Sequence, residues 1–296
     1  MTTEPSHLPA PPSPRSRRLA LASGLTYHLL EWDGGGDHTV VLVHGFLDLA
    51  WTWDEVATRL AARGLHVIAP DLRGHGDSDW IGAGGYYHFF DYVADLDEVI
   101  ARTARARRSV VGHSMGGSVS SYWAGTRPEQ VHRLALLEGI GPPDVTANAP
   151  QRTATWIDAW RRTRNAPVRV MQDVDAAAAR IHKHDALIDL EQARWLARHG
   201  TRPVDGGVAW KHDPLHLSAG PYLYKVEIAE SFWRRITAPV LYLDGARSML
   251  RLPDAEVARR LAVFPSARRA TIADAGHAMQ RHQPEQVAAA LLEHLA

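Results

Sequence analysis

The sequence predicts an α/β fold, a doubly wound and mostly parallel sheet carrying an inserted helical cap, and three observations lead there. Apolar runs such as TVVLVHG (39–45) show no polar alternation, as strands buried under helices on both faces do. Helical stretches separate those runs one for one. From 142 to 237 the alternation gives way to helical, Trp-rich sequence, and APVLYLDG (238–245) then resumes the strands.

Taken in order, the first eighteen residues hold five prolines and no apolar run, so 1–18 reads as a flexible tail. LALASGLTYHLLEW (19–32) alternates about Ser23-Gly24 as a hairpin would. The buried strand at 39–45 follows. Thr52-x-x-Glu55 offers a capping box for a helix that Gly64 ends. Strand LHVIAP (65–70), a helix around 91–108, strand SVVGHS (109–114), a small-residue helix and strand HRLALLEGI (132–140) complete a first core segment over 19–141. The cap spans 142–237. A second core segment, 238–296, supplies a helix near 254–263, a strand at 267–273 and a last helix opened by Pro284. The arginines at 102–108 end a helix, where cations complement its dipole and are solvated.

Composition narrows the function. The chain of 296 residues has room for one large domain with a smaller insertion. Thirty-three basic residues balance thirty-three acidic ones, so no net field favours nucleic acid or an anionic membrane, and the expected partner is a small-molecule substrate. The absence of cysteine excludes disulfides, thiolate metal sites and a cysteine nucleophile. No apolar stretch reaches the ~18 residues a membrane crossing needs, and a cytoplasmic location is the simplest expectation.

Chemistry concentrates at SVVGHSMGGSV. Gly112-His113-Ser114-Met115-Gly116 falls between a buried strand and a helix, the context of a nucleophile elbow, where tight turning demands glycine two residues before and two after the serine. The Met115 amide can meet an oxyanion, and the Phe46 amide of His44-Gly45-Phe46 supplies a second donor. A serine hydroxyl needs a base. Among seventeen histidines, His277 of ADAGHAMQRH fits, in a Gly-His loop after a strand and before the Pro284 helix.

HGF, PDLRGHGDSD (70–79), GHSMGG, the strand-Gly stretch 240–245 and AGH together resemble the α/β-hydrolase family over residues 19–296. GGVAWKHDPLHLSAGP (206–221) is similar to its serine hydrolase-like branch. The resemblance implies a triad in the chain order serine, acid, histidine. In the family's commonest version the acid ends a G-x-x-D pattern after the cap, and here that pattern reads Gly245-Ala246-Arg247-Ser248. Serine cannot balance an imidazolium. Glu138, ending the apolar strand before the cap, is the expected substitute, because a carboxylate there is costly unless paired and His277 can pair it. Asp244 is the alternative, Asp254 a remoter one. Without a catalytic role, Asp244 would orient the turn or pair with Arg247.

His44 and His113 are expected to support loops, and Arg73-Gly74-His75-Gly76 to form a structured turn. Neither His182-Lys183-His184 nor His277 with His282 has a carboxylate at metal-site spacing, so no metal and no cofactor is expected. Leu47, Trp51, Trp156, Trp160 and Trp210 are candidates for an apolar substrate chamber. The sum is a serine hydrolase acting on an apolar carboxylic ester or lactone. Carbon–carbon bond hydrolysis or cofactor-free perhydrolysis could use the same triad, and a non-catalytic small-molecule binder is the reading from another class.

Overall fold

A computed structural model describes residues 13–144, 148–218 and 220–296. Strands β1 (Arg15–Ala20) and β2 (Thr26–Asp33) form an antiparallel hairpin. The strand therefore begins inside the stretch expected to be a flexible tail. Residues 15–18 belong to the sheet, while residues 1–12 lie outside the described residues.

The core then alternates as expected: β3 (His38–Val43), α1 (Asp54–Ala61), β4 (His66–Pro70), α2 (Phe89–Thr103), β5 (Arg107–His113), α3 (Met115–Thr126) and β6 (Arg133–Leu137). Every residue of β3 and β4 is buried, which is why these strands show no alternation. The anticipated capping box is not formed. Trp53 is the N-cap of α1, and the Thr52 hydroxyl instead accepts from Arg281 Nε at 2.8 Å.

The cap comprises α4 (Ala149–Asn165), α5 (Val174–His184), α6 (Leu190–Gly200) and the strands β7 (Thr201–Val204) and β8 (Gly207–Trp210). It is therefore not wholly helical. Asp205-Gly206 turns β7 into β8, with Gly206 at φ 81°, a conformation glycine adopts without penalty. Asn148, Asp173 and Asp189 cap the three helices through their side chains. Met171, Ala177, Ile188, Ala193 and Leu196 give the cap a small apolar centre of its own.

Helix α7 (Val226–Trp233) falls within the expected cap boundaries but packs as core. Val226, Ala229 and Trp233 share one apolar cluster with Val119, Tyr122 and Trp123 of α3. In its packing α7 goes with α3 rather than with α4–α6. Strand β9 (Val240–Gly245), α8 (Asp254–Leu261), β10 (Ala267–Ile272), α9 (Met279–His282) and α10 (Pro284–Leu295) complete the chain.

The sheet order is β1-β2-β4-β3-β5-β6-β9-β10, parallel from β4 to β10. One apolar cluster, around Trp123 and Trp233, covers one face, and another, around Trp32, Trp53 and Leu291, covers the other. β5 stands near the middle. Loops at the carboxyl ends of β3, β5, β6, β9 and β10 converge above it, where ligand sites of such sheets form. Among the described residues no helix is long and apolar enough to cross a membrane.

Candidate active site

β5 ends at His113 and α3 begins at Met115, so the entire reversal falls on Ser114. Its φ of 52° and ψ of −119° cost a non-glycine residue about 1–3 kcal/mol. The flanking glycines are sterically required. A methyl group at Gly112 would strike the Gly116 carbonyl, and one at Gly116 the carbonyls of Val43 and His44. The second collision also shows how closely α3 abuts the end of β3. A methyl at Gly45 would lie 3.2 Å from Ser114 Cβ, which sets the Gly45-Phe46 backbone beside the serine.

Among the described residues neither the Phe46 nor the Met115 amide donates to a protein acceptor. Histidines hold the loop around Phe46. His44 Nδ1 donates to the Gly45 carbonyl at 2.7 Å, and its Nε2 accepts from the Leu72 amide at 2.9 Å. His75 Nε2 accepts from the Leu47 amide at 3.2 Å, and Nδ1 donates to the Arg73 carbonyl at 2.9 Å. Burial, with His216 and His44 adjacent, holds the His75 pKa well below its usual value, keeping the neutral ring these two bonds require. Leu47 is held at φ 57°.

His277 follows β10. Its Nδ1 lies 2.6 Å from Glu138 Oε2, and the Glu138 side chain is 3% exposed. That carboxylate also accepts from the Gly245 amide at 3.0 Å through Oε1 and from the Ser248 hydroxyl at 2.8 Å through Oε2. All three partners donate, which is the environment an ionised acid requires. Glu138 stands at φ 45°. Of the four non-glycine residues with positive φ among those described, Leu47, Ser114 and Glu138 lie here.

His113 steadies His277 from the core side: its Nε2 donates to the His277 carbonyl at 2.9 Å, and the two rings lie 4.7 Å apart. Burial, then the neighbouring His277, drives the His113 pKa well down, so it serves as a neutral donor. Among the described residues the Ser114 hydroxyl makes no hydrogen bond. Such contacts commonly tighten only around a substrate.

The alternative acids are placed elsewhere. Asp244 is fully buried, and its carboxylate is held by Arg269 Nε at 2.9 Å, by Arg269 Nη2 and by Thr271 Oγ1 at 2.7 Å. Arg269 of β10, rather than Arg247, is the pairing partner. Asp254 shares the same arginine at 2.7 Å.

The aromatic candidates separate. Trp51 stacks on His199 of α6 at 4.0 Å and meets Trp195 edge-on at 5.6 Å, linking the loop after Leu47 to the cap. Trp156 and Trp160 line a cavity of about 650 Å³ with Tyr86, His88 and Arg161, and Ser114, Glu138 and His277 are not among its lining residues. Trp210 stacks on His212 at 6.0 Å and packs against the cap's own centre. Sequence reading missed Ser248 as a partner of the acid and His216 beside Phe46, their rings 6.0 Å apart. Burial lowers the His216 pKa to about 3.

His28, Asp71 and Asp77 bring ligand-type atoms within 4.8 Å of one another. Their atoms are already engaged. Asp71 Oδ2 takes His28 Nδ1 at 2.7 Å and the Asp77 amide at 2.9 Å, Oδ1 takes the Ala50 amide at 2.6 Å, and Lys211 holds Asp77 at 2.7 Å. The trio is a knot that fixes the Arg73-Gly76 turn.

A parallel sheet with a serine on a strained strand-to-helix turn, a histidine after the last strand and a carboxylate against it define a hydrolase of the α/β class. The sequence profile of the alpha/beta hydrolase fold family matches residues 38–281, and the chain belongs to that family. It is 28% identical over 275 residues to a 3-hydroxybutyrate-oligomer hydrolase of Cupriavidus necator, covering 90% of this chain and 91% of the relative. A serine hydrolase-like protein of Danio rerio is 26% identical, covering 89% and 83%. Among solved structures, a thioesterase domain from the curacin biosynthetic pathway superposes with a TM-score of 0.83 at 26% identity, covering 95% of this chain and 99% of that one.

Proposed function

We propose that the protein cleaves an apolar, small-to-medium carboxylic ester or lactone through an acyl-enzyme. The observation that carries the reading is the 2.6 Å contact between His277 Nδ1 and Glu138 Oε2 above the Ser114 turn. With its proton shared toward the carboxylate, the ring presents the lone pair of Nε2 as a base. Ser114 Oγ gives its proton to that nitrogen and attacks the carbonyl carbon. The Phe46 and Met115 amides receive the oxyanion. His277 then passes the proton to the departing alkoxide, and the acyl group stays on Ser114. Water, deprotonated by the same nitrogen, releases the acid and restores the serine.

Glu138 balances the imidazolium in both halves and fixes the ring's orientation. Each oxyanion donor in such sites is worth about 100–1,000-fold in rate. The exposed Phe46 ring beside the serine loop favours an apolar acyl or alcohol portion. A relative named a 3-hydroxybutyrate-oligomer hydrolase and a neighbour named a thioesterase domain support attack on an acyl carbonyl carried on oxygen or sulfur.

Fluorophosphonate labelling, followed by assay of p-nitrophenyl esters of rising acyl length, tests the proposal. Wild type is expected to be labelled at Ser114 and to hydrolyse the shorter esters, and Ser114→Ala to do neither. An unlabelled, inactive wild type would leave only the binding-protein reading.

A further inference from the structure

The backbone around His277 is held from two sides. On the core side His113 donates to the His277 carbonyl. On the other side the Gly276 amide donates to His282 Nδ1 at 3.0 Å. Because an N–H points at Nδ1, that nitrogen must carry a lone pair, so the ring proton sits on Nε2. Nε2 faces both carboxylate oxygens of Asp185, at 2.8 and 3.0 Å.

Asp185 belongs to the cap, at the C-terminal end of α5. The His282 side chain is 3% exposed and that of Asp185 20%, so this is a partly buried histidine–carboxylate pair one loop away from the proposed catalytic one. Two further cap contacts converge on the same loop. A methyl on Gly276 would lie 2.8 Å from Leu187 Cδ1, and Gln192 Nε2 donates to the Arg281 carbonyl at 3.1 Å. Nothing in the proposed mechanism uses His282.

We propose that Asp185 and His282 form a strap by which the seated cap holds the His277 loop in register, making His282 a positioning residue for the base. The proposal rests on the hydrolase reading of Ser114 and His277. With the cap seated, Asp185 orients the His282 ring, the ring accepts the Gly276 amide, and His277 is fixed between two histidines. When the 185–192 segment lifts, that acceptor turns away and the Gly276 amide loses its partner, while the His113 bond to the His277 carbonyl and the Glu138 bond to the ring remain. Proton transfer at His277 is then most efficient while the 185–192 segment is seated against the loop.

The experiment uses the full chain as wild type, Asp185→Ala, Asp185→Asn, His282→Ala and the double variant Asp185→Ala/His282→Ala. It reads kcat and KM on p-nitrophenyl butyrate together with hydrogen exchange of the Gly276 amide. Asp185→Ala is expected to lower kcat about tenfold with KM within about twofold, the loss of roughly one charge-assisted hydrogen bond, and to speed Gly276 exchange by a similar factor. Asp185→Asn, whose amide oxygen still accepts from Nε2, should recover most of both. The double variant should be no slower than His282→Ala alone. Unchanged Gly276 exchange in Asp185→Ala overturns the strap whatever the activity, and faster exchange with unchanged kcat overturns the positioning role. Inactivity of wild type sinks the hydrolase reading instead, and Gly276 exchange still judges the strap.

Discussion

The carboxyl ends of β6 and β9 are neighbours in the sheet, with Leu137 in register with Leu243, and each carries an acid one residue beyond that pair, Glu138 and Asp244. Asp244 is still within β9, so its side chain obeys the pleat and meets Thr271, its register partner on β10, and Arg269. Glu138 lies one residue past the end of β6. Its φ of 45° turns the carboxylate out of the sheet toward His277. Proximity to a strand end is therefore not enough. A single residue in the left-handed region decides which acid faces His277, at a cost of about 1–3 kcal/mol that the three donors to Glu138 offset.

The sharpest way to break this contrast is to neutralise Glu138. Glu138→Gln should cut kcat/KM on a p-nitrophenyl ester by about 1,000- to 10,000-fold, the order seen when a triad acid is neutralised. Near-normal activity would move the acid elsewhere. The next largest effect is a gain. Ser248 Oγ lies 2.8 Å from the oxygen that His277 uses, so a carboxylate at 248 should reach the same ring. Ser248→Asp placed in Glu138→Gln is expected to recover about 100-fold of the lost rate; no recovery would mean that the loop at 248 cannot present an acid to His277.

Ser248→Ala alone removes one donor to the carboxylate and should cost about tenfold in kcat/KM, the worth of roughly 1.5 kcal/mol. A loss as deep as that of Glu138→Gln would assign Ser248 a larger part than support. Asp244→Ala should change kcat/KM least, within about threefold. It should nonetheless lower unfolding stability by about 1–2 kcal/mol in urea titration, because the Thr271 hydroxyl loses its acceptor and Arg269 keeps only Asp254. Lost activity at unchanged stability would reverse the two acids.

What the sequence revealed follows the same physics. The elbow was readable because tight turning leaves no choice but glycine at 112 and 116. The contact between Glu138 and His277 was readable because an apolar strand ending in a carboxylate implies a partner. Ser248 was seen only as a missing acid, since a loop serine carries no sign of what it donates to. The β7–β8 hairpin did leave a signal, Asp205-Gly206 between two short runs, but the surrounding helical pattern hid it. The tail boundary failed because RSRRLA gains its strand character from pairing with β2, which no local pattern records. The destinations of the tryptophans, and the pairing of His282 with Asp185, depend on how the cap folds back over the core, information spread over distant segments.

The most direct test of the central claim, that Glu138 and not Asp244 holds the His277 ring, is the proton resonance of His277 Nδ1 in protein with 15N-labelled histidine. Wild type should show a strongly deshielded Nδ1 proton, as a 2.6 Å bond to a carboxylate requires. That signal is expected to persist in Asp244→Asn and to move upfield or vanish in Glu138→Gln. Persistence in Glu138→Gln together with loss in Asp244→Asn would contradict the account.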